Sequence, residues 1–141
     1  MANLSVTVAE VVLNSGPFAD GISGAAITSG QGVYLSASGT WLPAKSNGTQ
    51  VEAGQYGLGI AVNSQPATGG PVRVALPGAD VTIGATAAPA LGKHFVVSAT
   101  AGSIADTADI TTSTQWKSAL AICRATSKLR VVGVPAEVAL P

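Results

Sequence analysis

Gly30-Gln31-Gly32-Val33-Tyr34-Leu35-Ser36-Ala37-Ser38-Gly39 and Gly92-Lys93-His94-Phe95-Val96-Val97-Ser98-Ala99-Thr100-Ala101-Gly102 are two versions of one pattern. Each opens on a glycine, runs through β-branched and aromatic residues suited to a pleated strand, and passes through Ser-Ala to a second glycine. With Gly30 set on Gly92 the shift is 62 residues, and one inserted residue then puts Gly39 on Gly102. The same shift sets Leu58-Gly59-Ile60-Ala61 on Leu120-Ala121-Ile122-Cys123, and a slightly smaller one sets Val72-Arg73-Val74 on Leu129-Arg130-Val131. Each half therefore reads as glycine turn, strand, polar hairpin, loop, strand, turn, strand. Two copies are too few for a solenoid, which needs at least about three stacked units to bury its faces. A duplicated sheet that closes on itself fits better.

Working outward, residues 4–13 read as a β segment, stopped by Asn14-Ser15-Gly16-Pro17. Residues 20–24 read as a glycine-bearing connection, and strands are expected near 26–27, 32–36 and 40–44. Ala37-Ser38-Gly39 supplies the turn of a hairpin. Residues 45–54 are polar and read as an exposed loop with Asn47-Gly48 as its turn. Strands at 57–62 and 71–76 pair across a loop, 80–83 is a short strand, and 85–91 is a link. A second hairpin is expected from 94–99 and 102–105, then a long polar loop over 106–115. Strands at 116–125, 128–134 and 136–140 finish the sheet. No apolar stripe at helical spacing persists with caps for three turns. The expectation is an all-β chain, a β-sandwich or jelly-roll-like body in one domain, 1–141. Residues 1–23 form an N-terminal β segment or arm, 24–83 the first β unit and 84–141 the second.

Composition narrows the function classes. The apolar content of 47% is largely Ala and Val, and charged residues make up only 10% of the 141, with zero net charge. An ordinary soluble domain carries roughly 25% charged residues. Burial of part of the surface in an assembly is the economical explanation of so little charge. No apolar run of about 18 residues could cross a membrane as a helix. Met1-Ala2-Asn3-Leu4-Ser5 lacks the basic region and apolar core of a secretory signal, so synthesis in the cytoplasm is expected. Cys123 is the one cysteine, within the apolar run 119–123, and is expected to be buried.

Catalytic chemistry finds few residues to work with. Acid–base catalysis needs ionisable groups that converge, and the chain has one His, one Cys and seven carboxylates spread along its length. His94 lies in an expected strand and reads as a rim histidine. Asp106 and Asp109 read as solvated loop acids, since a calcium loop carries more oxygen ligands and a closing Glu. Gly21-Ile22-Ser23-Gly24 and Gly57-Leu58-Gly59 lack the phosphate-binding glycine patterns. No enzyme, metal or cofactor is expected. Lys117, Arg124, Lys128 and Arg130 make the last part of the chain basic. A neutral chain lacks the electrostatic footprint of a nucleic-acid binder, so these cations are expected to meet acidic groups on a protein neighbour. Trp41, Trp116, Tyr34 and Tyr56 are the large side chains that can serve either core or interface.

Residues 24–34, Gly59-Ile60-Ala61-Val62-Asn63, Gly70-Pro71-Val72-Arg73-Val74 and residues 95–105 together resemble the small capsid cement, or head decoration, proteins of tailed bacteriophages. The likeness runs from about Gly24 to Val132. It implies a β-sandwich or jelly-roll-like body on the outside of the virion's icosahedral shell, made in the host cytoplasm. The implied partners are the major capsid protein and other copies of the chain, as dimer or trimer, without nucleic acid or membrane. The candidate interface residues are Leu4, Val6, Val8, Phe18, Trp41, Trp116, Arg124 and Arg130. Residues 2–18 are expected to add a strand to an exposed sheet edge of a neighbour. The alternatives are a phage tail or fibre component and a carbohydrate-binding module using Trp41, Trp116 and the Asp106/Asp109 loop.

Overall fold

The glycines that bound the repeat are where the backbone needs them: Gly30, Gly39, Gly92 and Gly102 all have positive φ, between 81° and 91°. A computed structural model of the chain describes residues 10–83, 91–106, 116, 118–125 and 128–134. Eleven strands lie in them: β1 (Val12–Ser15), β2 (Phe18–Ser23), β3 (Gly32–Leu35), β4 (Thr40–Pro43), β5 (Leu58–Ala61), β6 (Pro71–Ala75), β7 (Asp80–Thr82), β8 (His94–Val97), β9 (Ile104–Asp106), β10 (Ala119–Ala125) and β11 (Lys128–Val134). There is no α-helix among the described residues, and the chain is all-β as expected.

The strands form two sheets. One is a closed five-stranded barrel in the order β2-β4-β3-β5-β6; the other has six strands in the order β1-β7-β11-β10-β8-β9. From β4 the barrel runs β4-β3-β5-β6-β2, and from β9 the open sheet runs β9-β8-β10-β11-β7. The strand order of the first half is thus repeated in the second. In the first half β2 closes the ring by pairing in parallel with β4, Ile22 opposite Thr40 and Ser23 opposite Trp41. In the second half β7 pairs instead with β1, Leu13 opposite Val81, and β9 remains at an edge.

The inward residues explain why one half closes and the other does not. Strand alternation aims Val33, Trp41, Ala61, Val72 and Val74 into the barrel. Their counterparts Phe95, Ile104, Cys123, Leu129 and Val131 line the inner face of the open sheet. Trp41 fills the barrel, and a Cβ on Gly21 would lie 2.8 Å from its indole, so the glycine makes room for the ring. The second half carries Val81 and Ile104 where the first carries Gly21 and Trp41. With no indole to close around, its inner face is covered by the other half: Leu58 and Ile60, on the outer side of β5, enter the same core as Val81, Phe95, Val97 and Leu129. The sheets approach closely there, for a Cβ on Gly32 would sit 3.0 Å from Leu120.

Four expectations are corrected. Residues 20–23, expected as part of a glycine-bearing connection, belong to strand β2, because Asp20-Gly21 sits in the ladder opposite Arg73 and Val72. The N-terminal strand continues through Asn14 and Ser15, where the Asn14 side chain accepts a hydrogen bond from Thr82 at 2.7 Å. Of the segment expected over 2–18 to add a strand to a neighbour, β1 and Phe18 pair within the chain, and residues 1–9 lie outside the described residues. One layer of the expected sandwich is a closed barrel. The strand expected at 136–140 and the link at 85–91 fall outside the described residues, the link apart from Leu91.

Candidate interaction surfaces

Three ion pairs are formed among the described residues. Arg73 donates to Asp20 from β6 to β2 at 2.7 Å, and Arg130 donates to Asp80 from β11 to β7 at 2.9 Å. These pairs occupy the same place in the two halves, each across directly opposed residues. The guanidinium hydrogen bond holds the Asp20 carboxyl below its ordinary range, and Arg130 does the same to Asp80. The third pair is Lys45 with Glu52 at 3.3 Å. Glu52 also accepts from the Thr49 backbone N–H at 3.0 Å while its own N–H donates to the Thr49 hydroxyl, a reciprocal capping arrangement. That backbone hydrogen bond is the main reason the Glu52 carboxyl is lowered. Burial pushes the nearby Tyr34 phenol up, assisted by the Glu52 charge. Asp20, Glu52 and Asp80 are therefore each engaged in holding strands or a turn together. Among the described residues no three His, Cys, Asp or Glu side chains gather as a metal site.

The sequence candidates separate. Leu4, Val6 and Val8 lie outside the described residues. Trp41 is 5% exposed inside the barrel and offers no side chain to a partner. Trp116 is half-buried; its indole N–H donates to the Gly48 carbonyl and its backbone N–H to Ser46, so it ties the 45–54 loop to the second half. Cys123 is buried, as expected. Phe18, Arg124 and Arg130 remain at the surface. Asp106 contributes its backbone to β9, and Asp109 lies outside the described residues.

Two exposed faces result. On the barrel, Phe18, Asp20 and Ile22 alternate outward along β2, and the Arg73 guanidinium stands 4.3 Å above the Phe18 ring. A groove of about 520 Å³ adjoins this face, walled by Val11, Val12 and Leu13 on one side and by Val62, Val72 and Arg73 on the other. The Asp-Gly within Phe18-Ala19-Asp20-Gly21-Ile22 reads as a turn and hides this strand in the sequence; only the alternation of Phe18 and Ile22 signals it. On the open sheet, Ile122 lies between His94 and Arg130, and Arg130 lies beside Asp80. Arg124 and Lys128 stand exposed at the turn end of the β10–β11 hairpin. A shallow pocket of about 260 Å³ beside them is lined by Leu91, Gly92, Ile122, Cys123 and Arg124.

Comparison with family models, with curated proteins and with solved structures finds no match to this chain.

Proposed function

We propose that this chain is a non-catalytic structural protein of a tailed-bacteriophage head, binding the outer surface of the expanded major-capsid lattice as a dimer or trimer. The observation that carries the reading is the union of the two β units. The outer side of β5 in the first unit and the inner face of the second share one core, while uncharged large side chains, Phe18, Ile22, Val12 and Val134, are left about half exposed on the outside. A body of that kind suits a clamp better than a catalyst, because the carboxylates of Asp20, Glu52 and Asp80 are committed to neighbouring strands or to a turn. The resemblance of residues 24–132 to capsid cement proteins supplies the partner, and a jelly-roll relationship of the two-layer body belongs to the same reading. A protein that binds only the expanded lattice stabilises it by mass action, with no chemical step.

Co-sedimentation of the purified chain with expanded, undecorated heads, against immature proheads as control, tests the proposal. Saturable binding to expanded heads alone is expected. Binding to neither head form overturns it and directs attention to the tail.

A further inference from the structure

We infer that the outer face of β10 and β11 is a docking surface for an acidic segment of another protein chain. The inference deepens the capsid reading by assigning a face and a partner chemistry, and it rests on that reading only for the partner's identity.

The side of each residue follows from the core. Ala121, Cys123, Leu129 and Val131 point into the core, so Ile122, Arg124, Lys128 and Arg130 point away from it. Three of the seven Lys and Arg of a neutral chain therefore share one small face. The acid beside them among the described residues, Asp80, is already bound to Arg130 through two hydrogen bonds. Arg124 and Lys128 take no part in the three ion pairs.

The internal repeat shows that the fold does not require these cations. Arg124 corresponds to Val62, which directly follows β5 and packs half-buried against the core, and Lys128 corresponds to Pro71, the exposed first residue of β6. The shared ion pair is present in both halves; the additional charge is confined to the second. A cation that the scaffold can replace by Val or Pro is available for recognition.

The surroundings define the ligand. An exposed guanidinium pairs with a carboxylate through a planar fork, and Lys128 adds a second positive charge nearby. Leu91, 75% exposed, and Ile122 line the adjoining pocket and offer an apolar seat between the charges. An acidic segment with one apolar side chain matches both features. Nucleic acid fits less well, since among the described residues the face carries no Phe, Tyr or Trp, and His94 opposite Ile122 is its one ring on which a base could stack.

The test uses the full chain and a short fluorescein-labelled oligoglutamate peptide with one central leucine, read by fluorescence anisotropy at low salt. Binding is expected to weaken with added salt, to weaken when the leucine is replaced by glutamate, and to fall by about tenfold or more in Arg124→Glu/Lys128→Glu. Lys128→Gln, a milder change at an exposed position, is expected to lose part of that affinity with the melting temperature unchanged. Equal binding by the charge-reversed protein, or preferential binding of duplex DNA by the native one, overturns the assignment. The peptide assay needs no heads, so the two readings fail separately. Unimpaired binding of the double variant to expanded heads removes this face and leaves the capsid reading standing; peptide binding without head binding does the reverse.

Discussion

The exchange of Gly21 and Trp41 for Val81 and Ile104 accompanies the two different shapes of the one repeat. In the barrel the indole occupies the space that a side chain at position 21 would need, the two being 2.8 Å apart when a Cβ is added. In the open sheet Val81 and Ile104 lie in the core that Leu58 and Ile60 enter, and β7 pairs with β1 instead of closing on β9. Trp41→Ile removes a buried ring that is 5% exposed and is expected to destabilise the fold by about 3 kcal/mol, from lost burial and the cavity left behind. Gly21→Val alone is expected to be destabilising as well, by overpacking. Because Val81 and Ile104 already coexist in the second half, Gly21→Val/Trp41→Ile is expected to cost less than the sum of the single changes, with a coupling of about 1 kcal/mol or more. Urea denaturation of the four proteins gives the cycle; strict additivity would show that the two positions do not share the barrel interior.

At the level of strands, the repeated Arg–Asp pair clamps the last strand of each half to the first, β6 to β2 and β11 to β7. Both aspartate carboxyls are lowered by their arginine, so the unfolded chain takes up a proton more readily than the folded one. The sign follows: the stabilisation is present above the ordinary carboxylate pKa of about 4 and is lost as pH falls below it. Urea midpoints are expected to be level near pH 6 and to drop towards pH 3, with a shallower drop in Arg73→Met/Arg130→Met, whose aspartates have lost the main cause of their lowering. An equal drop in both proteins would place the acid sensitivity elsewhere. The same strands show what the sequence makes legible. The hairpins β3–β4 and β8–β9 are readable because Gly39 and Gly102 mark turns and the flanking residues alternate. β11 is readable over its full length, since Leu129 and Val131 alternate with charged Lys128 and Arg130. β2 is not, because Asp20 and Gly21 are turn residues whose strand state depends on Arg73 and Trp41, both remote in sequence. The interface candidates divide for the same reason: an aromatic ring such as Trp41 can serve core or surface, and only barrel closure decides which.

For the molecule as a whole, the two halves are related by sequence but not independent in stability. The outer side of β5 supplies Leu58 and Ile60 to the core of the second sheet, β1 from the chain's beginning covers the edge of β7, and Trp116 anchors the first half's 45–54 loop. Removing either half from the other would uncover a contiguous apolar face rather than a polar domain surface. The chain is therefore expected to unfold in one cooperative transition despite its duplication. Trp116→Phe leaves Trp41 as the sole indole, a fluorescence probe of the barrel alone, while far-ultraviolet circular dichroism reports both sheets. Coincident urea transitions from the two probes are expected. A barrel transition displaced to higher urea would mean that Trp41 and its neighbours hold a ring that survives without the second sheet. The shared core built on Leu58, Ile60 and Leu120 would then be an interface between two domains. A one-transition result makes the two sheets one cooperative unit, with Leu58 and Ile60 of β5 as the residues that join them.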